Sequence, residues 1–221
     1  MKIHIIDTGF FKLDGGAMFG VVPKVLWDKH NPADAKNLCS WAMRCLLIED
    51  GEKLILVDTG MGNKQDDKFF SHYDLHGDAT LLSSIEEKGF SPNAITDVLL
   101  THLHFDHVGG AVQFSRDGSR LAPTFPNAVY WSNQAHWQWA THPNPREKAS
   151  FLKENILPLQ ESGQLQFIEQ PAERGLAKRD AILVEGRQRE ACAGSEPLHN
   201  AREQKSLLVC RQQRVEPVRV Q

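Results

Sequence analysis

The sequence predicts an α/β layered fold over residues 1–170, followed by a tail of different character over residues 171–221. Three observations lead there. Short β-branched runs alternate with stretches that carry helix caps, the turns between them are short, and the composition changes abruptly near Gln170. With 221 residues and 41% hydrophobic content the chain can bury a core. Its 25 basic and 28 acidic side chains leave a net charge of −3. No global positive field is available to hold a phosphate backbone, so nucleic acid is a poor partner.

The elements follow in order. Lys2 to Ile6 alternates and is β-branched, a strand ending at Asp7-Thr8-Gly9. The glycine-punctuated run Asp14 to Gly20 and the polar segment to Asn37 read as one long ordered loop. Ala42 to Glu49 and Lys53 to Val57 are apolar runs joined at Asp50-Gly51, a hairpin whose second strand ends in Asp58-Thr59-Gly60. Asp78 or Thr80 caps a helix to about Lys88, with Leu81, Leu82 and Ile85 on one face and Gly89 closing it. Ile95 to Leu100 is a buried strand that runs into a histidine cluster. Thr124 to Trp131 is a further strand, Ser132 caps an aromatic helix to about Ala140, Pro145 opens a helix to about Asn155, and Leu165 to Ile168 begins another strand.

Met1 to Phe10 is too short an apolar run, too soon interrupted by Asp7, to be a secretory signal, and no run of about eighteen apolar residues occurs. The expectation is a soluble, cytoplasmic chain with no membrane partner. Cys39, Cys45, Cys192 and Cys210 lack C-x-x-C spacing and read as buried or free thiols.

The tail stands apart. All 18 aromatic residues lie in the first 170 positions, where that frequency would place about five in the remaining 51. The first segment carries 15 basic and 21 acidic side chains, the tail 10 and 7, and arginine replaces lysine as the main cation. A solvated or disordered extension, or a reading frame shifted near Gln170, accounts for such a change.

The chemistry is concentrated in Thr101-His102-Leu103-His104-Phe105-Asp106-His107-Val108-Gly109-Gly110. Three histidines and an aspartate within six residues form a donor set suited to zinc. At an extended strand end His102 and His104 point the same way and can converge on one cation. Asp106 and His107 follow the turn and can reach a second, and Asp106 can also orient a nucleophilic water as a catalytic group. Two cations sharing a bridging water yield hydroxide at neutral pH. Gly109 and Gly110 permit a tight turn and close backbone approach. His72 and His76, four apart, lack carboxylate support, and His136 on the aromatic helix reads as packing or substrate contact rather than a ligand.

At these residues the chain resembles the metallo-β-lactamase superfamily, whose T-H-x-H-x-D-H motif is matched by Thr101 to His107. Cys45-Leu46-Leu47-Ile48 and Leu56-Val57-Asp58-Thr59-Gly60 are similar to its paired strands and D-T-G turn. The resemblance implies an αββα sandwich over residues 1–170, with metals at one edge between two sheets and Asp58 beneath the metal loop as a hydrogen-bond acceptor. The lactonase-like and general metal-dependent hydrolase branch is the nearest in pattern, and places the loop of Met18 and Phe19 near a pocket. The family also implies a histidine, a bridging aspartate and a last histidine further along. Residues 171–221 offer only Asp180 and His199, in reversed order, so the second half of the fold reads as incomplete. An unbuilt second sheet would leave Leu46, Ile48, Leu56 and Leu99 exposed.

The resulting expectation is a hydrolase using a zinc-bound hydroxide, two Zn2+ per intact site with iron or manganese as alternatives, on an ester, lactone, thioester or related bond of a small molecule. The competing expectation is a catalytically inactive truncated or frame-shifted remnant.

Overall fold

A computed structural model describes residues 1–168. Its main sheet has six strands in the order β1-β2-β3-β4-β7-β8 and a separate sheet pairs β5 with β6. The strands are β1 (Lys2–Asp14), β2 (Leu38–Asp50), β3 (Lys53–Val57), β4 (Asp97–Leu99), β5 (Val112–Phe114), β6 (Leu121–Pro123), β7 (Val129–Ser132) and β8 (Leu165–Phe167). The helices are α1 (Gly15–Phe19), α2 (Lys24–Trp27), α3 (Asp67–Phe70), α4 (Leu81–Glu87), α5 (Phe105–Val108), α6 (Gln134–Thr141) and α7 (Lys153–Glu161). The α/β architecture is as expected, with β5 and β6 the only strands outside the main sheet among the described residues. No helix among those residues is long and apolar enough to cross a membrane.

β1, β2 and β3 are antiparallel, while β3, β4, β7 and β8 run parallel. Register aligns Leu47 with Leu56 and Leu56 with Val98, so these side chains share the buried face with Ile6, Cys45 and Tyr130. The opposite face carries Ile3, Ile5 and Leu46, which are exposed. Leu56 therefore does not belong with Leu46 as expected: side chains alternate along a strand, and Leu56 is fully buried.

Several boundaries differ from the sequence reading for local reasons. β1 does not stop at Gly9 but passes through an irregularity between Asp7 and Phe10, where Gly9 adopts φ +86° and pairing then resumes. The stretch from Asp14 to Asn37 is not one loop. The Asp14 carboxylate accepts from the amides of Gly16 and Ala17 and caps α1, and the Trp27 indole fills the space a Cβ on Gly15 would need. Thr80, rather than Asp78, caps α4 through a capping box with Ser83. Asn133, not Ser132, caps α6, because Ser132 completes β7. The helix expected from Pro145 starts instead at Lys153: the Asn144 side chain accepts from the amides of Arg146 and Glu147 and holds that stretch in turns.

Candidate metal centre

The site forms at the C-terminal ends of the parallel strands β3 and β4, where two adjacent chains leave the sheet side by side. Asp58 follows β3 in the left-handed region at φ 60°, and its amide donates to the Leu99 carbonyl at 3.0 Å. This conformation turns its carboxylate under the loop that follows β4. There it accepts from the Thr101 amide at 2.9 Å, the Thr101 hydroxyl at 2.7 Å and His107 Nδ1 at 2.9 Å. A carboxylate facing Nδ1 favours the proton on that nitrogen. Asp58 thus lies beneath the loop from Thr101 to His107, bonded to both of its ends.

The two turns are fastened by main chain. The amide and hydroxyl of Thr59 both donate to the His107 carbonyl, at 2.8 and 2.9 Å, and the Gly110 amide donates to Gly60. A Cβ on Gly109 would stand 1.9 Å from the Met61 carbonyl oxygen, and one on Gly110 2.2 Å from that of Thr59. The glycine pair is needed for close approach. The buried Lys64 ammonium donates to the Gly109 carbonyl. Burial pushes Lys64 down to about 8, with Glu154 opposing.

Leu103 is fully buried, so its neighbours His102 and His104 turn to the other side of the extended chain. Their ring centroids are 4.7 Å apart, and those of His102 and His107 3.9 Å. One donor atom from each of His102, His104 and Asp106 lies within 4.8 Å of the others. His107 Nε2 stands 3.4 Å from Asp106 Oδ2, so His107 borders the same cluster. Ligands about 2.1 Å from a tetrahedral zinc are about 3.4 Å apart, which small side-chain rotations reach from here. Two imidazoles and a carboxylate, from His102, His104 and Asp106, converge in a way that fits a divalent cation. Beside them lies a cavity of about 90 Å³ lined by Phe11, Met43, Arg44, Asp58, Asp106 and His107.

Two neighbours carry more than the sequence suggested. His136, in the first turn of α6, is 8% exposed and its Nε2 accepts from the Leu103 amide at 2.9 Å. Burial, together with nearby His104, lowers it to about 4. Tyr73 packs at a tilt against Phe105 at 4.7 Å between centroids, and burial with the Asp106 charge pushes its phenol up. Its spacing from the motif in sequence gives no signal of this. His72 and His76 share no helical face, since α3 ends at Phe70; His76 Nε2 instead meets the Ser40 hydroxyl at 2.7 Å. Phe19 stacks on Trp27 at 4.7 Å and belongs to the core, whereas Met18 is exposed. Cys39 and Cys45 are buried free thiols, as expected, and burial with the Asp58 charge pushes Cys45 up. Asp180, His199, Cys192 and Cys210 lie outside the described residues.

A family model for the metallo-beta-lactamase superfamily matches residues 44–169. An N-acyl homoserine lactonase of Bacillus cereus is 28% identical over 167 residues, covering 71% of this chain and 56% of that protein. One from Bacillus thuringiensis is 25% identical with the same shares. The chain thus spans little more than half the length of the curated relatives it matches. Among solved structures, a probable metal-dependent hydrolase from Staphylococcus aureus is similar with a TM-score of 0.68 and 31% identity, over 79% of this chain and 61% of that one. AidC, a dizinc quorum-quenching lactonase, shares the fold with a TM-score of 0.54 and 24% identity, over 78% and 59%.

Proposed function

The chain belongs to the metallo-beta-lactamase superfamily, and from that premise we propose that it is a metal-dependent hydrolase cleaving an ester, lactone, thioester or related bond in a small molecule. His102, His104, Asp106 and His107 hold zinc in this reading, two ions when the site is fully furnished. The observation that carries it is the convergence of the His102, His104 and Asp106 donors within 4.8 Å, with His107 Nε2 3.4 Å from Asp106. The similarity to Bacillus N-acyl homoserine lactonases supports lactones within the substrate class.

A divalent cation bound there supplies Lewis acidity toward a carbonyl oxygen and a lowered pKa for water. The chain's own residues set the stage. Asp58 holds His107 in the tautomer that presents Nε2. Asp106, at the start of α5, is the catalytic carboxylate that orients the attacking water. Asp180 and His199 remain candidates for additional ligands. A cytoplasmic site of action, with neither nucleic acid nor membrane as partner, belongs to the same reading.

The composition change near Gln170 and the family match ending at residue 169 support a second reading, an inactive remnant with a boundary near residue 170. One experiment separates the two. Elemental analysis of the purified full chain gives zinc, iron or manganese per chain, and a panel of lactones and esters is assayed with wild type and His102→Ala. Metal in the wild type and hydrolysis lost in the variant support the enzyme. Metal-free protein, or hydrolysis unchanged by the substitution, refutes it.

A further inference from the structure

We infer that His136 is a positioning residue for the metal loop, holding the Leu103 amide so that His102 and His104 present their nitrogens to one point. The inference rests on the metal site proposed above and deepens it.

Leu103 separates the two histidines, and its side chain is anchored in the core. Its amide is the other anchor, donating at 2.9 Å to His136 Nε2. With both held, the peptide plane between His102 and Leu103 is fixed and the Leu103 side chain sets the turn of the chain beyond it, and with them the directions in which the flanking imidazoles leave the chain. His136 is itself well located: Asn133 caps α6 by accepting from the amides of Ala135 and His136, at 2.9 and 3.2 Å. The Phe151 ring contacts both, 4.8 Å from His104 and 5.9 Å from His136 by centroid.

The chemistry of the ring sets it apart from a packing residue. Because Nε2 accepts, the proton of the neutral ring sits on Nδ1, and that atom is buried with no hydrogen-bond partner among the described residues. A residue selected for apolar filling would carry no such unpaired donor. An acceptor opposite the Leu103 amide is what the position supplies.

The test uses the full chain with two substitutions of nearly equal shape, His136→Gln and His136→Met, which differ in whether an acceptor is present. Zinc affinity is measured by chelator competition, and protection of the Leu103 amide by hydrogen exchange on metal-free protein. The expectation is a 10–100-fold loss of zinc affinity and lost Leu103 protection in His136→Met, with His136→Gln recovering most of both. Equal affinity in wild type and His136→Met overturns the inference, as does equal weakening in both variants. Should His136→Met fail to fold, wild-type protection of Leu103 retained in a folded His136→Gln with near wild-type affinity supports it, and a large loss of affinity in that variant overturns it. A wild type that binds no zinc refutes the metal site instead, so the two failures are distinct.

Discussion

Replacing Asp58 by Asn is the most informative perturbation of the centre, because it alters chemistry with little change of shape. Asp58 lies in the left-handed region at φ 60°, which Asn adopts far more readily than Ala. The native carboxylate, on a side chain 13% exposed, serves the Thr101 amide, the Thr101 hydroxyl and His107 Nδ1 together. A carboxamide can accept at only one of its two ends. With oxygen toward Thr101, its NH2 faces His107 and forces the proton onto Nε2, the atom meant for the cation. With oxygen toward His107, the NH2 faces the Thr101 amide and leaves that donor unpaired, at a cost of about 1–3 kcal/mol. Either way zinc affinity should fall about 10–100-fold, since a factor of ten is about 1.4 kcal/mol. Chelator competition reads the affinity, and thermal unfolding of metal-free protein checks that the variant is folded. A folded Asp58→Asn variant that holds zinc within about twofold of wild type would refute the assigned role.

Other outcomes follow from the same geometry. His104→Ala removes one donor from the convergent trio and should lower bound zinc per chain, read by elemental analysis after dialysis; undiminished loading would count against it as a ligand. Folded His136 stays neutral to about pH 4, while its unfolded value is near 6.5. The unfolded chain therefore binds more protons in that window, and stability falls as pH drops from about 6.5 to about 4, by about 3 kcal/mol in all. Urea unfolding of metal-free wild type and His136→Gln should show this acid-linked loss only in the wild type. Gly110→Ala brings a Cβ against the Thr59 carbonyl and should destabilise by about 1–3 kcal/mol in the same assay.

The site was legible where its chemistry is local. The His102 to His107 run announces a donor set because four ligand-type side chains fall within six residues, and Asp58 follows from the turn after a paired strand. The bond from the Leu103 amide to His136 was not legible, because it exists only once α6 packs against the loop after β4, and no spacing encodes that contact. The fold shows the same division. The β2–β3 hairpin and the Thr80 cap are written in adjacent residues, whereas β5 and β6 are three residues each and too short for alternation to register. Pro145 resembles a helix start, yet the nearby Asn144 side chain captures the amides a helix would have used.

The contact between the Asp58 turn and the Gly109-Gly110 turn is made by peptide groups, with no room for a side chain at the closest points. Its spacing is set by backbone dimensions, which mutation elsewhere alters little. Arg44, an exposed residue on the wall of the neighbouring cavity, can therefore change in size and charge while that spacing is kept. The turn-to-turn spacing and the character of that wall are free to evolve on separate schedules.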